Sequence, residues 1–312
     1  ITAYDMSAGE VVGIQSKAVI LATAGHQGIW SGSANGAGLG SSLAASAGIS
    51  LNGLANNPIH PLTVRGTDLN ISIDVLGSGG RVRKSSGEDV EPSEVGEDDC
   101  ILDLRSIDSA AHAWFTNTRS KIKDRTGLDI SRDVVPISST IAVTTGGAPV
   151  DDHGRVTIED GSKWATGLYA AGRSAHNGMH GEGLLAGNIL LDDLVGGRNA
   201  GAHAGAWAAE AKFAGSNLVE ESSEAAKARI EALQNSTGSS VGQVAATLSS
   251  IMASCGNGSR DEASLKAAAA SLATLKSTGI KVTDSSMVMN TELSAALEVE
   301  GMISIAEQIA SS

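Results

Sequence analysis

Residues 167–201 read GLYAAGRSAHNGMHGEGLLAGNILLDDLVGGRNAG, and this stretch decides the fold. The apolar run at 167–171 predicts a buried strand, glycines then break the chain as far as Gly187, and a second apolar run at 189–195 predicts a helix. A helix that follows a glycine loop presents backbone N–H groups to an anion or a polar ring edge. The glycines also let a flat ligand lie against the backbone. The stretch therefore predicts a ligand-binding loop, with a merely flexible connection between strand and helix as the alternative.

The length, charge and cysteine content of the chain argue against several classes of protein. The chain has 312 residues, enough for two or three domains and a core that needs no disulfide or metal. Its two cysteines, Cys100 and Cys255, lie far apart and fit a reducing compartment. A formal charge of −13 argues against nucleic acid and against an anionic membrane surface as partners. No apolar run reaches the roughly 20 residues that span a bilayer, so we expect a soluble protein. Its start at Ile1, inside a predicted strand, indicates a fragment or a processed product.

Three kinds of region follow one another along the chain. Residues 1–14 predict a hairpin, and residues 17–23 (KAVILAT) predict a buried strand that ends in a turn. Residues 52–145 combine short strands and polar turns with one helix at 109–123, whose apolar side includes Trp114. Residues 202–312 read as an antiparallel helical bundle, in which Asn290 is placed to cap the last helix.

Few side chains are candidates for catalysis, ligand binding or metal binding. His176 and His180 have the spacing of a metal-binding pair on a helix, but the glycines around them argue against a helix and so against a metal site. His60, between Ile59 and Pro61, is predicted to lie in a turn that faces a ligand, with a structural histidine as the alternative. No Cys–His pair or serine elbow offers a nucleophile, so no catalytic residue is assigned.

The order of the motifs is more specific than any one of them. KAVILATAG at 17–25, a glycine-rich helix start, His60-Pro61, GSGG at 77–80, Gly146-Gly147, GLYAAG at 167–172 and HGEGLLAGNILLDD at 180–193 succeed one another. The tail at 290–307 reads NTELSAALEVEGMISIAE. In this order the chain resembles the flavoprotein subunit of succinate dehydrogenase and fumarate reductase, with L-aspartate oxidase as a relative.

This resemblance implies a fold and a cofactor. The fold would be a partial, Rossmann-like α/β FAD-binding domain at 1–51 and 146–201, an inserted α+β capping domain for substrate at 52–145, and a helical domain at 202–312. The family's substrate-carboxylate histidine corresponds to His60. Its FAD-binding positions correspond to Ala22, Thr23, Ala24, Gly25, Gly172, Arg173, Gly187, Asn188, Ile189 and Leu190.

The chain departs from the family where substrate is bound. The family's proton-donating arginine falls on Leu76, a second substrate histidine falls on Ala142, and a carboxylate-binding arginine falls on Leu184. A leucine neither donates a proton nor pairs with a carboxylate, so ordinary succinate or fumarate chemistry is not expected. At the cofactor, Arg173 replaces a glutamate and Ile189 replaces a serine. Arg65, Arg81 and Arg83 offer replacement charge for a substrate, with solvated surface residues as the alternative.

Three interpretations follow. The first is an FAD-dependent oxidoreductase with an altered small-molecule substrate and an iron–sulfur or other electron-transfer subunit as its partner. The second is a non-catalytic relative that serves as a binding or scaffold subunit, and the third is an unrelated α/β protein whose motifs agree by chance. For the first, we expect a cytoplasmic location, peripheral at the inner face of the membrane through partner subunits.

Overall fold

Short strands in the first half of the chain give way to long helices in the second. The computed structural model describes residues 1–31, 36–54, 57–96, 99–141, 143–181, 184–185, 187–255 and 261–311. The strands are β1 (Thr2–Asp5), β2 (Glu10–Gly13), β3 (Val19–Leu21), β4 (Ile59–Val64), β5 (Arg81–Lys84), β6 (Cys100–Asp103), β7 (Val135–Ile141), β8 (Ala148–Pro149), β9 (Arg155–Ile158), β10 (Lys163–Ala170), β11 (Ala175–His176), β12 (Ser239–Ser240) and β13 (Ile280–Lys281). The helices are α1 (Gly28–Ser31), α2 (Leu39–Ser46), α3 (Asp74–Gly77), α4 (Ser109–Trp114), α5 (Thr116–Thr126), α6 (Asn188–Glu210), α7 (Asn217–Gln234), α8 (Val241–Ser254), α9 (Glu262–Thr278) and α10 (Thr291–Ser311).

The chain divides into two compact units. The larger unit contains Ile1–Asn57 and Val143–Ser312, and the smaller unit is the insertion Pro58–Ala142. The sequence places the insertion at 52–145 and separates a helical domain at 202. In the structure α6 runs through residue 202 without a break, from Asn188 to Glu210. The FAD-binding and helical parts belong to one compact unit. The predicted boundary between them at residue 202 therefore stays a prediction.

A small sheet forms the centre of the larger unit. Its strand order is β3-β10-β9, with β10 parallel to β3 and antiparallel to β9. One face carries a core of small and branched side chains, contributed by Leu21, Ala44, Ile49, Ala148, Val156, Ala170 and Ala175. The other face packs on α6, where Ala200 and Ala204 lie against Tyr169. The apolar runs at 17–23 and 167–171 form the predicted strands, but burial is incomplete: in β3 Leu21 is buried, whereas Ile20 is 40% exposed.

The helical part of the larger unit is held by a continuous apolar core. Leu248 on α8, Leu272 on α9 and Leu293 on α10 are all fully buried. The last helix is capped as predicted, because Asn290 Oδ1 accepts from the Leu293 N–H at 2.8 Å. The predicted N-terminal hairpin is also confirmed, with β1 and β2 paired antiparallel.

The smaller unit is an antiparallel sheet with helices packed on it. The strand order is β4-β7-β6-β5, and Leu62, Leu102 and Ile137 are fully buried in its core. The single helix predicted at 109–123 is wrong in one respect, because the structure divides it into α4 and α5. Trp114, predicted on the apolar side, is 82% exposed, whereas the next residue, Phe115, is 7% exposed. The chain changes direction there to bury the phenyl ring in place of the indole.

Candidate functional site

Two parallel strands end at the same edge of the sheet and lead into two predicted cofactor segments. Residues 22–25 follow β3, and the 3₁₀ turn Gly172–Ser174 follows β10. The Ser174 hydroxyl donates to the Thr23 carbonyl at 2.9 Å and accepts from the Thr23 N–H at 3.0 Å. The carboxyl edge of a parallel sheet is the usual ligand-binding edge of α/β folds. The hydrogen bonds therefore fix both segments together at the position where that rule expects a ligand.

The glycine-rich start of α2 is tied to the same edge. The N–H of Gly40 donates to the Thr23 hydroxyl at 2.8 Å, and the N–H of His26 donates to the hydroxyl of Thr144 at 2.7 Å. Ala22 and Ala24 are exposed, Thr23 is half-buried and Gly25 is buried. Segment 22–25 is thus held through its backbone and leaves two methyl-sized side chains on the surface.

The third predicted segment begins the longest helix. Gly187 adopts a left-handed conformation with φ 85°, and α6 starts at Asn188 without a side-chain cap. A side chain at Gly187 would meet no described atom, so the space before this helix end is open. The helix packs on the Gly172–Ser174 turn, which brings the second and third segments together. The first N–H groups of a helix have no acceptors within it and suit an anion or a polar ring edge.

These residues fit FAD on their own chemistry. They supply glycines that permit close approach and the N-terminus of α6, whose positive dipole end suits an anion. Leu185 and Leu190 beside that start are 69% and 64% exposed, which provides the apolar surface that a flat ring requires. Arg173 is half-buried in the adjoining turn, where its guanidinium suits a phosphate. The roles of the individual residues at FAD remain predictions.

The loop before α6 contains a histidine–carboxylate hydrogen bond that the sequence did not reveal. His180 Nε2 lies 3.0 Å from Asp192 Oδ2, and Asn177 Nδ2 donates to Asp192 Oδ1 at 2.7 Å. In the described ranges, no three His, Cys, Asp or Glu side chains come together as metal ligands. The partner of His180 is therefore a carboxylate one turn inside α6. His180 and Asp192 are twelve residues apart, a separation that matches no recognisable local spacing. The two aspartates at 192–193 were the only signal in the sequence.

His60 lies in a strand rather than in the predicted turn. It belongs to β4 and stands opposite Thr140 of β7. Its Nε2 is 2.8 Å from the Ile71 carbonyl, which can only accept, so this nitrogen carries the proton. Burial lowers the pKa of the His60 ring below its ordinary value. At neutral pH the ring is uncharged, and its substrate-binding role stays a prediction.

The positions that depart from the family have structural surroundings of their own. Leu76 is partly buried and packs against the core of the smaller unit. Leu184 is half-buried, and Ala142 lies outside the described residues. Arg65 donates to two backbone carbonyls, those of Cys100 and Ile137, at 3.1 and 3.0 Å.

The two other arginines considered as replacement charges are paired within the smaller unit. Arg83 binds Asp89 at 2.8 Å and Asp103 at 3.3 Å, and Arg81 lies 3.8 Å from Asp89. These pairs, together with the carbonyl contacts of Arg65, give all three arginines structural partners. The alternative of plain structural or surface arginines is therefore the better interpretation.

Family models match both ends of the chain. A model described as an FAD binding domain matches residues 1–190, and one described as the fumarate reductase flavoprotein C-terminus matches residues 245–312. This excludes a chance agreement of motifs in an unrelated protein. Among the described residues, no helix combines the length and the apolar character that crossing a bilayer requires.

Named relatives align over nearly the whole chain. A fumarate reductase flavoprotein subunit from Haemophilus influenzae is 25% identical, and the alignment covers 99% of this chain and 59% of the relative. A succinate dehydrogenase flavoprotein subunit from Rickettsia bellii is 25% identical over 97% of this chain and 57% of the relative. An L-aspartate oxidase from Mycobacterium leprae is 39% identical, over 36% of this chain and 20% of the relative. The chain thus spans less than three fifths of the length of the first two relatives.

Solved structures share the fold. FrdA of the E. coli quinol fumarate reductase has a TM-score of 0.84 at 22% identity, covering 98% of this chain and 59% of that one. Mycobacterium smegmatis Sdh1 has a TM-score of 0.82 at 24% identity, covering 99% and 56%. The predicted fold class, an FAD-binding α/β part with a capping insertion and a helical C-terminal part, is confirmed.

Proposed function

Because the chain belongs to the FAD-binding family of the fumarate reductase and succinate dehydrogenase flavoprotein subunits, we propose that it serves an FAD-dependent oxidoreductase whose substrate is not a dicarboxylate. The observation that carries the proposal is the replacement of polar substrate positions by leucines in a chain that keeps its cofactor-binding backbone. Leu76 packs into a hydrophobic core, and Leu184 cannot pair with a carboxylate. An unpaired carboxylate beside apolar side chains is costly.

The cofactor side uses backbone groups more than side chains. Residues 22–25, the Gly172 turn and the start of α6 would hold FAD, with Arg173 directed to a phosphate. The chemistry that FAD supplies when bound is transfer of a hydride to or from the substrate. The chain itself contributes the N-terminus of α6, the apolar surface around Leu190 and the hydrogen-bonded pair Thr23–Ser174 that keeps the segments together.

The substrate side lacks the charges of its relatives. His60 carries a proton on Nε2 and is neutral at pH 7, since burial lowers its pKa. Because the Nε2–H donates to the Ile71 carbonyl, the neutral ring offers a carboxylate neither a charge nor its N–H. This favours a substrate with at most one carboxylate over one with two.

The relatives are named as subunits, which supports a partner for this chain as well. We place an electron-transfer subunit, of iron–sulfur type, as the recipient of electrons. Association with the inner face of a membrane would then come through partner subunits.

A second candidate function is a non-catalytic binding or scaffold subunit. Leu76 favours it, because a family proton-donor position that has joined a hydrophobic core has taken a structural role. Turnover separates the two candidates, since a scaffold binds flavin or loses it without reducing an acceptor.

The test is a flavin titration followed by turnover assays. We expect flavin absorption bands in the protein after FAD addition and gel filtration. With an artificial electron acceptor, we expect no succinate oxidation and, with a reduced dye, no fumarate reduction. Small monocarboxylates and their unsaturated analogues form the first substrate panel. Robust turnover of succinate would overturn the altered substrate, and a protein that retains no flavin would overturn the cofactor site of this chain.

A replacement variant sharpens the substrate assignment. Leu184→Arg restores a guanidinium where the relatives bind a carboxylate, with Leu184→Met as the control of similar volume. We expect fumarate or succinate to protect only the arginine variant against thermal unfolding. Equal protection of the arginine and methionine variants would contradict the assigned role of position 184.

A further inference from the structure

One buried carboxylate joins the loop before α6 to the helix itself. Asp192 lies in the second turn of α6 and is 6% exposed. Its Oδ1 accepts from Asn177 Nδ2 at 2.7 Å, and its Oδ2 lies 3.0 Å from His180 Nε2. Asn177 Oδ1 in turn accepts from the Met179 N–H at 2.9 Å. A single side chain therefore holds both ends of segment 177–180.

We propose that Asp192 is a positioning residue for the cofactor: through Asn177 and His180 it holds segment 177–180 against the second turn of α6, beside the helix start that we assign to FAD. The inference rests on the proposed FAD site. It assigns to Asp192 no contact with FAD and no part in the redox chemistry.

The loop requires such an anchor because its own sequence does not fix it. Gly178 has φ 74°, and Gly178 and Gly181 both have open space where a side chain would be. Glycines lose more conformational entropy on ordering than other residues, so an unanchored glycine loop is costly to hold in one shape. The loop leads to Gly187, whose left-handed conformation begins α6. Segment 177–180 is hydrogen-bonded directly to the second turn of α6, so its freedom would act beside the helix start.

The burial of Asp192 is explained by these contacts. A buried carboxylate is destabilising unless its oxygens receive hydrogen bonds. Both oxygens of Asp192 have partners, and both partners come from the loop. The neighbouring positions 190, 191 and 194 are exposed leucines, which cannot hold a polar loop. Within the described part of the chain, Asp192 thus supplies two side-chain hydrogen bonds between this end of α6 and the preceding loop.

The test compares Asp192→Ala with Asn199→Ala on the same helix. Asn199 is exposed, and its Nδ2 donates to the Asp152 carbonyl at 3.2 Å, so its removal also costs α6 one hydrogen bond. FAD affinity is measured by flavin fluorescence, and amide hydrogen exchange is followed over residues 177–191. We expect Asp192→Ala to weaken FAD binding about tenfold or more, with faster exchange in that segment. Asn199→Ala should change neither quantity, and Asp192→Glu should restore part of the affinity.

Two further outcomes are decisive. If Asp192→Ala does not fold, Asn177→Ala removes one loop contact at an exposed position and should give a smaller loss of FAD affinity at an unchanged melting temperature. If Asp192→Ala and Asn177→Ala both bind FAD like Asn199→Ala, the positioning role is wrong. If the unaltered chain binds no FAD, the proposed function fails, and the exchange comparison alone decides whether Asp192 anchors the loop.

Discussion

The cofactor edge and the inserted unit have diverged in different ways from the family they share. At the cofactor edge the segments are held by hydrogen bonds between backbone groups and small hydroxyl side chains, and by left-handed glycines such as Gly172 and Gly187. In the inserted unit Leu76, which we predict to occupy a functional position of the family, is partly buried and packs against the hydrophobic core. A site made from backbone survives side-chain replacement, whereas a site made from charged side chains does not. Under the proposed function, this difference is how the chain keeps a cofactor fold without dicarboxylate chemistry.

The largest expected effect is at Gly146, which supports the cofactor edge. Its φ is 101°, and a side chain there would lie 2.5 Å from the Gly53 backbone and 2.7 Å from the Asn52 carbonyl oxygen. Gly146→Ala should destabilise the larger unit by about 3 kcal/mol or more, because strain and overlap add. Urea unfolding followed by tryptophan fluorescence measures this, since Trp30, Trp164 and Trp207 all belong to that unit.

The control for Gly146 comes from the inserted unit. Gly66 has φ 75° but open space around its Cβ position, so Gly66→Ala should cost only about 1 kcal/mol of conformational strain. Equal losses for the two variants would show that close backbone packing does not distinguish the cofactor edge.

The next largest effect concerns Leu76, which we predict to occupy a substrate position of the family. Leu76→Arg places a charge against the core of the inserted unit and should cost about 2 kcal/mol or more. Ile73, in the same short segment and 53% exposed, supplies the control Ile73→Arg, which should be nearly neutral. Hydrogen exchange in residues 58–142 reports the loss locally. An arginine at 76 that is tolerated as well as one at 73 would mean that Leu76 has not been taken over by the core.

Sequence patterns predict the cofactor edge better than the inserted unit. The runs KAVILAT and GLYAA contain strands because apolar residues bounded by glycine have few other solutions, and the helix start near residue 188 follows from the same rule. The length of α6 was not predictable from propensity, since Gly196, Gly197 and Gly201 oppose a helix. Packing of Ala200 and Ala204 on Tyr169 overrides that preference.

Long-range partners set the limit of the sequence argument. The partner of His180 is Asp192, and that of His60 is the Ile71 carbonyl. Neither pair has a spacing that a local rule recognises. The exposure of Trp114 was missed because burying Phe115 competes with it at a helix break. Three-dimensional packing determines the outcome in each of these cases, and the periodicity of the sequence does not encode that packing.

A moderate effect is expected from the charge network of the inserted unit at low pH. Arg105, with Arg83, holds the pKa of Asp103 at about 2, below its ordinary value of 3.8. The carboxylate therefore stabilises the fold above pH 3.8, and this contribution, about 2 kcal/mol, is lost as the pH falls towards 2. Acid titration of the inserted unit by circular dichroism should show this loss, and Asp103→Asn should remove it.

The matched control is Asp89, which binds the same Arg83 but is 64% exposed. Asp89→Asn should leave the acid transition within about 0.5 kcal/mol of the unaltered chain. An equal effect at both positions would assign the acid sensitivity to net charge and would remove the special role of Asp103.

The smallest expected effect tests the protonation state of His60 in the inserted unit. Burial lowers its pKa in the folded chain, whereas the unfolded chain titrates near the ordinary value of 6.5. The unfolded state therefore takes up the proton first, and stability falls modestly as the pH decreases through 6.5. His60→Gln should flatten this dependence, and the imidazole NMR signal lost in that variant should titrate at lower pH in the folded protein than in urea. A signal that titrates at or above its value in urea would show a charged ring, ready for a carboxylate, and would return a dicarboxylate to the list of substrates.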